Sequence, residues 1–260
     1  MQIAASTRHE PPRPRPARRR IAVTRRVTLG RLSAREREAV CADAYAIYAR
    51  YKTGVDRATF DRHFFRDDAA RVALLLDAEG SLAGFACASI LRVRHGGREH
   101  AVYSALLFVD TRYSGAREAK RFALGEALRF KLREPWTPLA YMGVVTSPAS
   151  YRMFAAGMPR FWPRRDRPTP APVAGLVRAA MAARGLTFAD DERWLVRGLG
   201  AVRDPQRLRT AASLQGDPDA QFYLERNPGF ADGVAMGIWV PLDLGNILGA
   251  LARLAGLGRR

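Results

Sequence analysis

Apolar and polar positions change period several times along the chain, and each change marks an expected element. From Ser33 the period is helical. Val40, Ala44, Ile47, Tyr48 and Tyr51 share a face, and Ser33 with Glu36 three residues on forms a capping-box signature, so a helix is expected at about 34–52. "TGVD" breaks it, and "RATFDRHFFRD" reads as a second, shorter helix. Three apolar runs follow at about 71–77, 82–93 and 99–109, separated only by "AEGS" and "RHGGRE". Connections that short predict antiparallel hairpins. The third run passes through "VDTRYSGAREA" into a helix at about 116–133. "PLAYMGVV" (138–145) reads as a strand, and the helix after it has Pro148 in its first turn and Gly157 at its end.

Beyond an irregular Pro- and Arg-rich connection, Pro172 opens a helix carrying Val173, Leu176, Val177, Ala180 and Met181 on one face, ended by Gly185. "LTFADDERWLVRG" suggests a strand hairpin, residues 200–220 are polar and ambiguous, "NPGFADG" is turn chemistry and "VAMGIWVPL" a strand. The terminal segment is amphipathic, with Leu244, Ile247, Leu248, Leu251 and Ala255 on its apolar side. That side either packs on the protein's own core or, with Arg259 and Arg260 beyond it, lies on an anionic membrane. No internal repeat is visible.

Charge adds one thing to this picture. The 260 residues carry a net charge of +18, and residues 1–35, with ten arginines and one acid, hold half of it. Arginine outnumbers lysine forty to three, a ratio that a GC-rich bacterial genome explains more simply than function does. The positive field attracts nucleic acid, anionic lipid, phosphorylated ligands and acidic proteins alike. Residues 1–32 are expected to be a disordered arm, since Pro and Arg with few large apolar residues build no core. The arm is a solvated tail or an electrostatic tether to membrane or nucleic acid, and no base-recognition motif argues for sequence-specific binding. Cys41 and Cys87 lie far apart and read as core residues, with no disulfide framework and no metal cluster. A cytoplasmic setting, or one peripheral to a membrane, fits a chain without a spanning stretch or a secretory signal.

Two helices, a three-strand meander, a strand–turn–helix, then another strand and helix: this order resembles the GNAT (N-acetyltransferase-like) acyltransferase superfamily, over about residues 34–160. Family members often read Val-Asp-Pro-x-Tyr-Arg-Gly-x-Gly-x-Gly/Ala where a strand meets the CoA-binding helix. Val109, Asp110, Tyr113, Gly115 and Ala119 match, whereas Thr111 replaces the proline, Ser114 the usual Arg or Gln, and Arg117 a central glycine. A second, looser match runs from Ser147 through Ser150 and Phe154 to Gly157 and Met158, with Phe154 at the family's usual Tyr. The resemblance implies an α+β fold with a mixed, mostly antiparallel central sheet flanked by helices. It implies a core at 33–165 with an extension at 166–260 packed on it.

It further implies acyl transfer from an acyl-CoA, or from the phosphopantetheine of an acidic acyl carrier protein, to an amine, with no metal. The donor site would be Phe108, Val109 and residues Ser114, Gly115, Ala116, Arg117, Glu118, Ala119 and Lys120. Arg117 either points outward and adds a bond to a phosphate or marks a site that has drifted. The alternative is a catalytically inactive domain that binds an anionic ligand or a membrane surface. The oxyanion donor is expected as a backbone N–H near Ala105 to Phe108. For the base and acid the sequence offers Glu99, His100, His63, Tyr151 one turn before Phe154, and more weakly Tyr103.

Overall fold

The computed structural model describes residues 19–114, 116–204 and 214–254. Gly115, residues 1–18 of the arm, 205–213, and Ala255, Arg259 and Arg260 at the end therefore lie outside the described residues. The strands are β1 (Arg19–Arg20), β2 (Val23–Thr28), β3 (Lys52–Thr53), β4 (Arg71–Leu76), β5 (Leu82–His95), β6 (Arg98–Val109), β7 (Tyr113–Ser114), β8 (Leu139–Val145), β9 (Phe188–Asp190), β10 (Leu195–Val196), β11 (Ala201–Val202) and β12 (Ala235–Pro241). The helices are α1 (Ala34–Tyr48), α2 (Arg57–Phe64), α3 (Ala116–Arg133), α4 (Pro148–Gly157), α5 (Ala171–Ala183), α6 (Pro218–Arg226) and α7 (Leu244–Leu254).

Eight strands form one sheet in the order β2-β4-β5-β6-β8-β12-β10-β9. Every neighbouring pair is antiparallel except β6 and β8. This is the mixed, mostly antiparallel α+β sheet that the family resemblance implies. Alternation along the strands divides the core by face. Val72, Leu74, Phe85 and Cys87 meet α1 and α2, while Ala73, Leu75, Ala86 and Ala88 meet α3. Farther along, Val93, Val102 and Met142 meet α5, and Val145, Met236 and Ile238 meet α4 and α6.

Local chemistry sets the helix ends. Ser33 and Glu36 make the expected capping box, with each side chain bonded to the other's backbone N–H. Helix α1 stops at Tyr48, short of 52, because Lys52–Thr53 pairs with Ala201–Val202 instead. Helix α6, where the sequence looked ambiguous, starts on Asp217, whose carboxylate accepts the N–H groups of Asp219 and Ala220, with Pro218 in the first turn.

Three features differ from the sequence reading. The arm ends earlier than residue 32: Val23–Thr28 is an edge strand on β4, and Arg19–Arg20 runs parallel to Tyr113–Ser114. An edge strand is held by backbone bonds, so arginine-rich composition does not prevent it. Residues 166–260 do more than pack on a finished core, since β12 lies beside β8 inside the main sheet. Helix α7 sits the other way round from the core-packing expectation. Asn246 faces inward, accepting the Arg160 N–H at 2.8 Å and donating to the carbonyls of Arg160 and Pro241, while Leu244, Leu248 and Leu251 are exposed.

Candidate functional site

Strands β6 and β8 run side by side for only three residues. Ala101, Val102 and Tyr103 pair with Leu139, Ala140 and Tyr141, and there the pairing ends although both strands continue. Burial changes at the same place, since Ala101–Tyr103 are buried and Ser104–Val109 half-buried. The sheet therefore opens into a wedge between Ser104–Val109 and Met142–Val145. Strand β6 stays bonded to β5 along the wedge, and β8 to β12, so both walls are rigid.

Hydrogen-bond alternation tells which groups face the gap. The Ala101 N–H donates toward β8, to the Pro138 carbonyl at 2.8 Å, whereas the Asp110 N–H donates toward β5, to the Ala83 carbonyl. Odd-numbered residues of β6 thus turn their N–H groups toward β8, and Ala105 and Leu107 do so where β8 has diverged. On the opposite wall Met142 and Val144 face the gap. At the apex the Ser104 hydroxyl donates to the Met142 carbonyl at 2.6 Å.

A cavity at this apex is lined by residues from both walls, from α2 and from the end of α5, among them His63, Cys87, Tyr141, Gly143 and Arg184. A second cleft continues from it, sharing His63 and Arg184 and adding Arg62, Arg66 and Asp67. His63 is held below its ordinary value near 6.5 by burial and by Arg62, so it is a neutral base at pH 7. Burial pushes the Cys87 thiol up to about 12, and its Sγ–H donates to the Phe64 carbonyl, which removes it as a thiolate nucleophile near neutrality.

Tyr141 escaped the sequence reading. Its ring stacks on Phe154 at 5.6 Å between centroids, so a phenol stands beside the position at which the resemblance implies a tyrosine. Burial pushes it up to about 12, and its hydroxyl has no hydrogen-bond partner among the described residues. Gly143 makes room for it, since a Cβ there would sit 2.3 Å from the Tyr141 oxygen. The tyrosine two residues before a glycine was the one available signal.

Arg184, at the C-cap of α5, was also missed. Its guanidinium reaches the Ser89 hydroxyl at 3.3 Å and the Val102 carbonyl at 3.2 Å, while Nε is buried without a partner among the described residues. Burial pulls this arginine below its ordinary value, and no carboxylate lies within ion-pair distance among the described residues. Asp67, in the same cleft, is the nearest source of compensating charge.

Of the five acid–base candidates from the sequence, the structure brings only His63 to the wedge. Glu99 pairs with Arg92 at the opposite end of β6. His100 lines a separate cleft with Lys131 and Asp243. Five residues of strand put it roughly 16 Å from Ala105, too far for proton transfer there. Tyr151 is fully buried, with its hydroxyl donated to the Pro163 carbonyl at 2.9 Å and its ring among Phe161, Phe222 and Tyr223. Tyr103 is likewise committed, to the Ala123 carbonyl.

The turn after β6 is built around Asp110. This buried carboxylate accepts from Arg50 and Arg112 and from the Arg112 N–H, and Arg112 above all holds it well below the usual carboxylate range. Tyr51 accepts the Thr111 N–H, and the Tyr113 hydroxyl donates to Asp77. Thus fixed, the chain enters α3, whose first N–H groups have no partner within the helix. Arg117 and Lys120 are exposed there, Glu118 is half-buried and Ala119 is buried against the sheet. Phe108 packs between Tyr48 and Phe85 on the α1 side, so only its backbone and that of Val109 border the wedge.

No family model matches the chain, and no curated protein sequence matches it. Solved structures that match include a "Probable N-Acyltransferase" from Enterococcus faecalis V583, at 13% identity and TM-score 0.34, covering 53% of this chain and 32% of that one. The NatC complex bound to Gag peptide and CoA matches at 12% identity and TM-score 0.40, covering 85% of this chain and 99% of that chain. TofI in an apo form matches at 14% identity and TM-score 0.38, over 88% and 96%. The chain spans about a third of the first of these. At such identities and scores the functional weight falls on the wedge itself.

Proposed function

We propose that the protein transfers an acyl group from a CoA or carrier-protein thioester to an amine that carries an anionic group. The observation that carries this reading is the wedge: two rigid strand edges that diverge after Tyr103 and lead directly into the turn and helix start at Asp110–Lys120. An extended pantetheine arm fits such a gap as an added strand, with Ala105, Leu107 and Val144 offering it backbone bonds. Phosphates at its far end would meet the α3 N-terminus and the side chains of Arg117 and Lys120. Arg117 in place of a glycine is compatible with this, because its side chain is exposed.

The chemistry then follows from what surrounds the apex. The amine nitrogen attacks the thioester carbonyl while His63 takes its proton. Negative charge developing on the carbonyl oxygen is met by the N–H of Ala105 or Leu107, which is fixed before the reaction starts. As the C–N bond forms the C–S bond breaks, and the departing sulfur receives a proton from Tyr141, a phenol that burial keeps protonated through the neutral range. Direct transfer is favoured over an acyl-cysteine route by the inert Cys87 thiol.

Arg184 supports the choice of acceptor. A largely buried guanidinium without an ion pair is costly, and a carboxylate on the acceptor would pair with it in the cleft that His63 also lines. The test is thiol release from an acyl-CoA and from a carrier-protein thioester in the presence of matched amines with and without a carboxylate. Carboxylate-bearing amines should be turned over, and Arg184→Gln should raise their KM at least about tenfold while leaving amines without the carboxylate unaffected. Thiol release that none of the amines stimulates would remove the reading. Equal KM for both amine classes would remove the role of Arg184.

A further inference from the structure

The outward face of α3 is apolar where a surface helix is ordinarily polar. Leu124, Leu128 and Leu132 recur every four residues and Trp136 continues the row just past the helix end, with exposures of 69%, 56%, 75% and 89%. Helix α7 repeats the pattern. It is fastened to the protein by Asn246 and by Arg253, which donates to the carbonyls of Ala155 and Met158, while Leu244, Leu248 and Leu251 face outward. The two helices approach each other where Lys131 of α3 and Asp243 at the start of α7 line one cleft. Two parallel accidents are a poor explanation for leucines exposed at helical spacing on two helices, since clustered apolar surface on a protein is normally covered.

Charge identifies the cover. Arg121 and Arg133 are exposed around the α3 row and have no ion-pair partner among the described residues. Of the acids close by, Glu126 is engaged by Arg129, Glu134 by Arg92 and Asp243 by Arg160, which leaves the half-buried Glu118 without an ion pair among the described residues. A second copy of the chain placed on this face would bring the same unpaired cations against these. A bilayer with anionic headgroups instead supplies phosphates to the cations and an apolar boundary to the leucines. We propose that α3 and α7 dock the protein on an anionic lipid bilayer, lying in its interface with their leucines and Trp136 entering the headgroup–acyl boundary. No described helix is long and apolar enough to cross the membrane, so the contact is a surface one.

The protein carries its own reporter. Trp162, Trp194 and Trp239 are buried, so of the four tryptophans only Trp136 changes environment on docking. The full chain should co-sediment with vesicles of phosphatidylglycerol and phosphatidylcholine and show a blue shift in tryptophan emission. Phosphatidylcholine vesicles alone should bind it weakly, and high salt should weaken the anionic case. Leu128→Gln with Leu132→Gln, both exposed and so compatible with folding, should weaken vesicle binding at least about tenfold. Absence of a blue shift with anionic vesicles would overturn the proposal. So would binding that the double variant leaves unchanged, which would assign attachment to the arginine-rich arm. A blue shift that grows with protein concentration without lipid, together with a dimer mass, would give the face to a second copy instead.

Discussion

His63→Gln should lower kcat/KM about a hundred- to a thousandfold, the usual size of a lost general base. The pH profile distinguishes this from a packing effect. His63 is held below its ordinary value by burial and Arg62, so kcat/KM in the native protein should rise with pH through a pKa below 6.5 and then stay level. The level region should extend until the Tyr141 phenol ionises near 12. In the His63→Gln variant the acid limb should vanish along with most of the rate. Tyr141→Phe should cost a comparable factor in kcat yet keep the acid limb, because the base is intact. If His63→Gln retains both its rate and its acid limb, some other group takes the proton. Tyr151→Phe serves as the contrast: its hydroxyl is spent on Pro163, so stability should fall modestly and the pH profile should not change.

The second large effect concerns stability. Lys52 is buried between Tyr51 and Thr53 on the short strand that pairs with Ala201–Val202, and its Nζ has no partner among the described residues. Burial pulls its pKa from 10.5 down to about 8. A lysine whose folded pKa lies below its unfolded one opposes folding wherever it is charged. The penalty is therefore fully present below pH 8 and is relieved as pH rises from about 8 toward 10.5. Lys52→Met should stabilise the protein at pH 7 by about 3 kcal/mol, the free energy of such a shift. The gain should shrink steadily above pH 8. Cys41 and Cys87 act oppositely: burial raises both thiols from 9, so their stabilisation is lost as pH climbs past 9. For that reason the quantity to follow is the difference between native and variant chains, by urea denaturation from pH 7 to 10. A difference that is zero or independent of pH would mean that the ammonium is solvated.

Much of the fold was legible because local signals and global structure agree. The strands at 71–76, 82–95 and 98–109 announce themselves by apolar runs with turns too short for any crossover, and the cap at Ser33 is written in two residues. Edge strand β2 was hidden because its stability lies in backbone bonds to β4. "VTRRVT" needs little apolar surface, and the Arg26 side chain lies over the Phe122 ring. The leucines of α7 were legible as a face, yet their direction was not. Burial of Asn246 depends on the Arg160 and Pro241 backbone, which no local pattern shows.

The candidate site divides the same way. "VDTRYSGAREA" marks the turn from sequence, and Asp110 proves to be its structural centre through Arg50, sixty residues away. The wedge is a property of two strands that stop pairing, and pairing between residues 101–103 and 139–141 cannot be read from either strand alone. Tyr141 and Arg184 reach it from β8 and from the end of α5, so their meeting with His63 on α2 exists only in three dimensions. Glu99 and His100, by contrast, were legible as strand residues of the right chemistry and lie at the wrong end of the strand.

The central claim is that the gap between β6 and β8 receives the acyl donor. Its most direct test is a crystal structure of the protein soaked with a non-hydrolysable acyl-CoA thioether. The account predicts density for the pantetheine arm between Ser104–Val109 and Met142–Val145, with the sulfur near Tyr141 and the phosphates at the start of α3. Density elsewhere on the protein, or strands closed together past Tyr103 with no ligand between them, would contradict it.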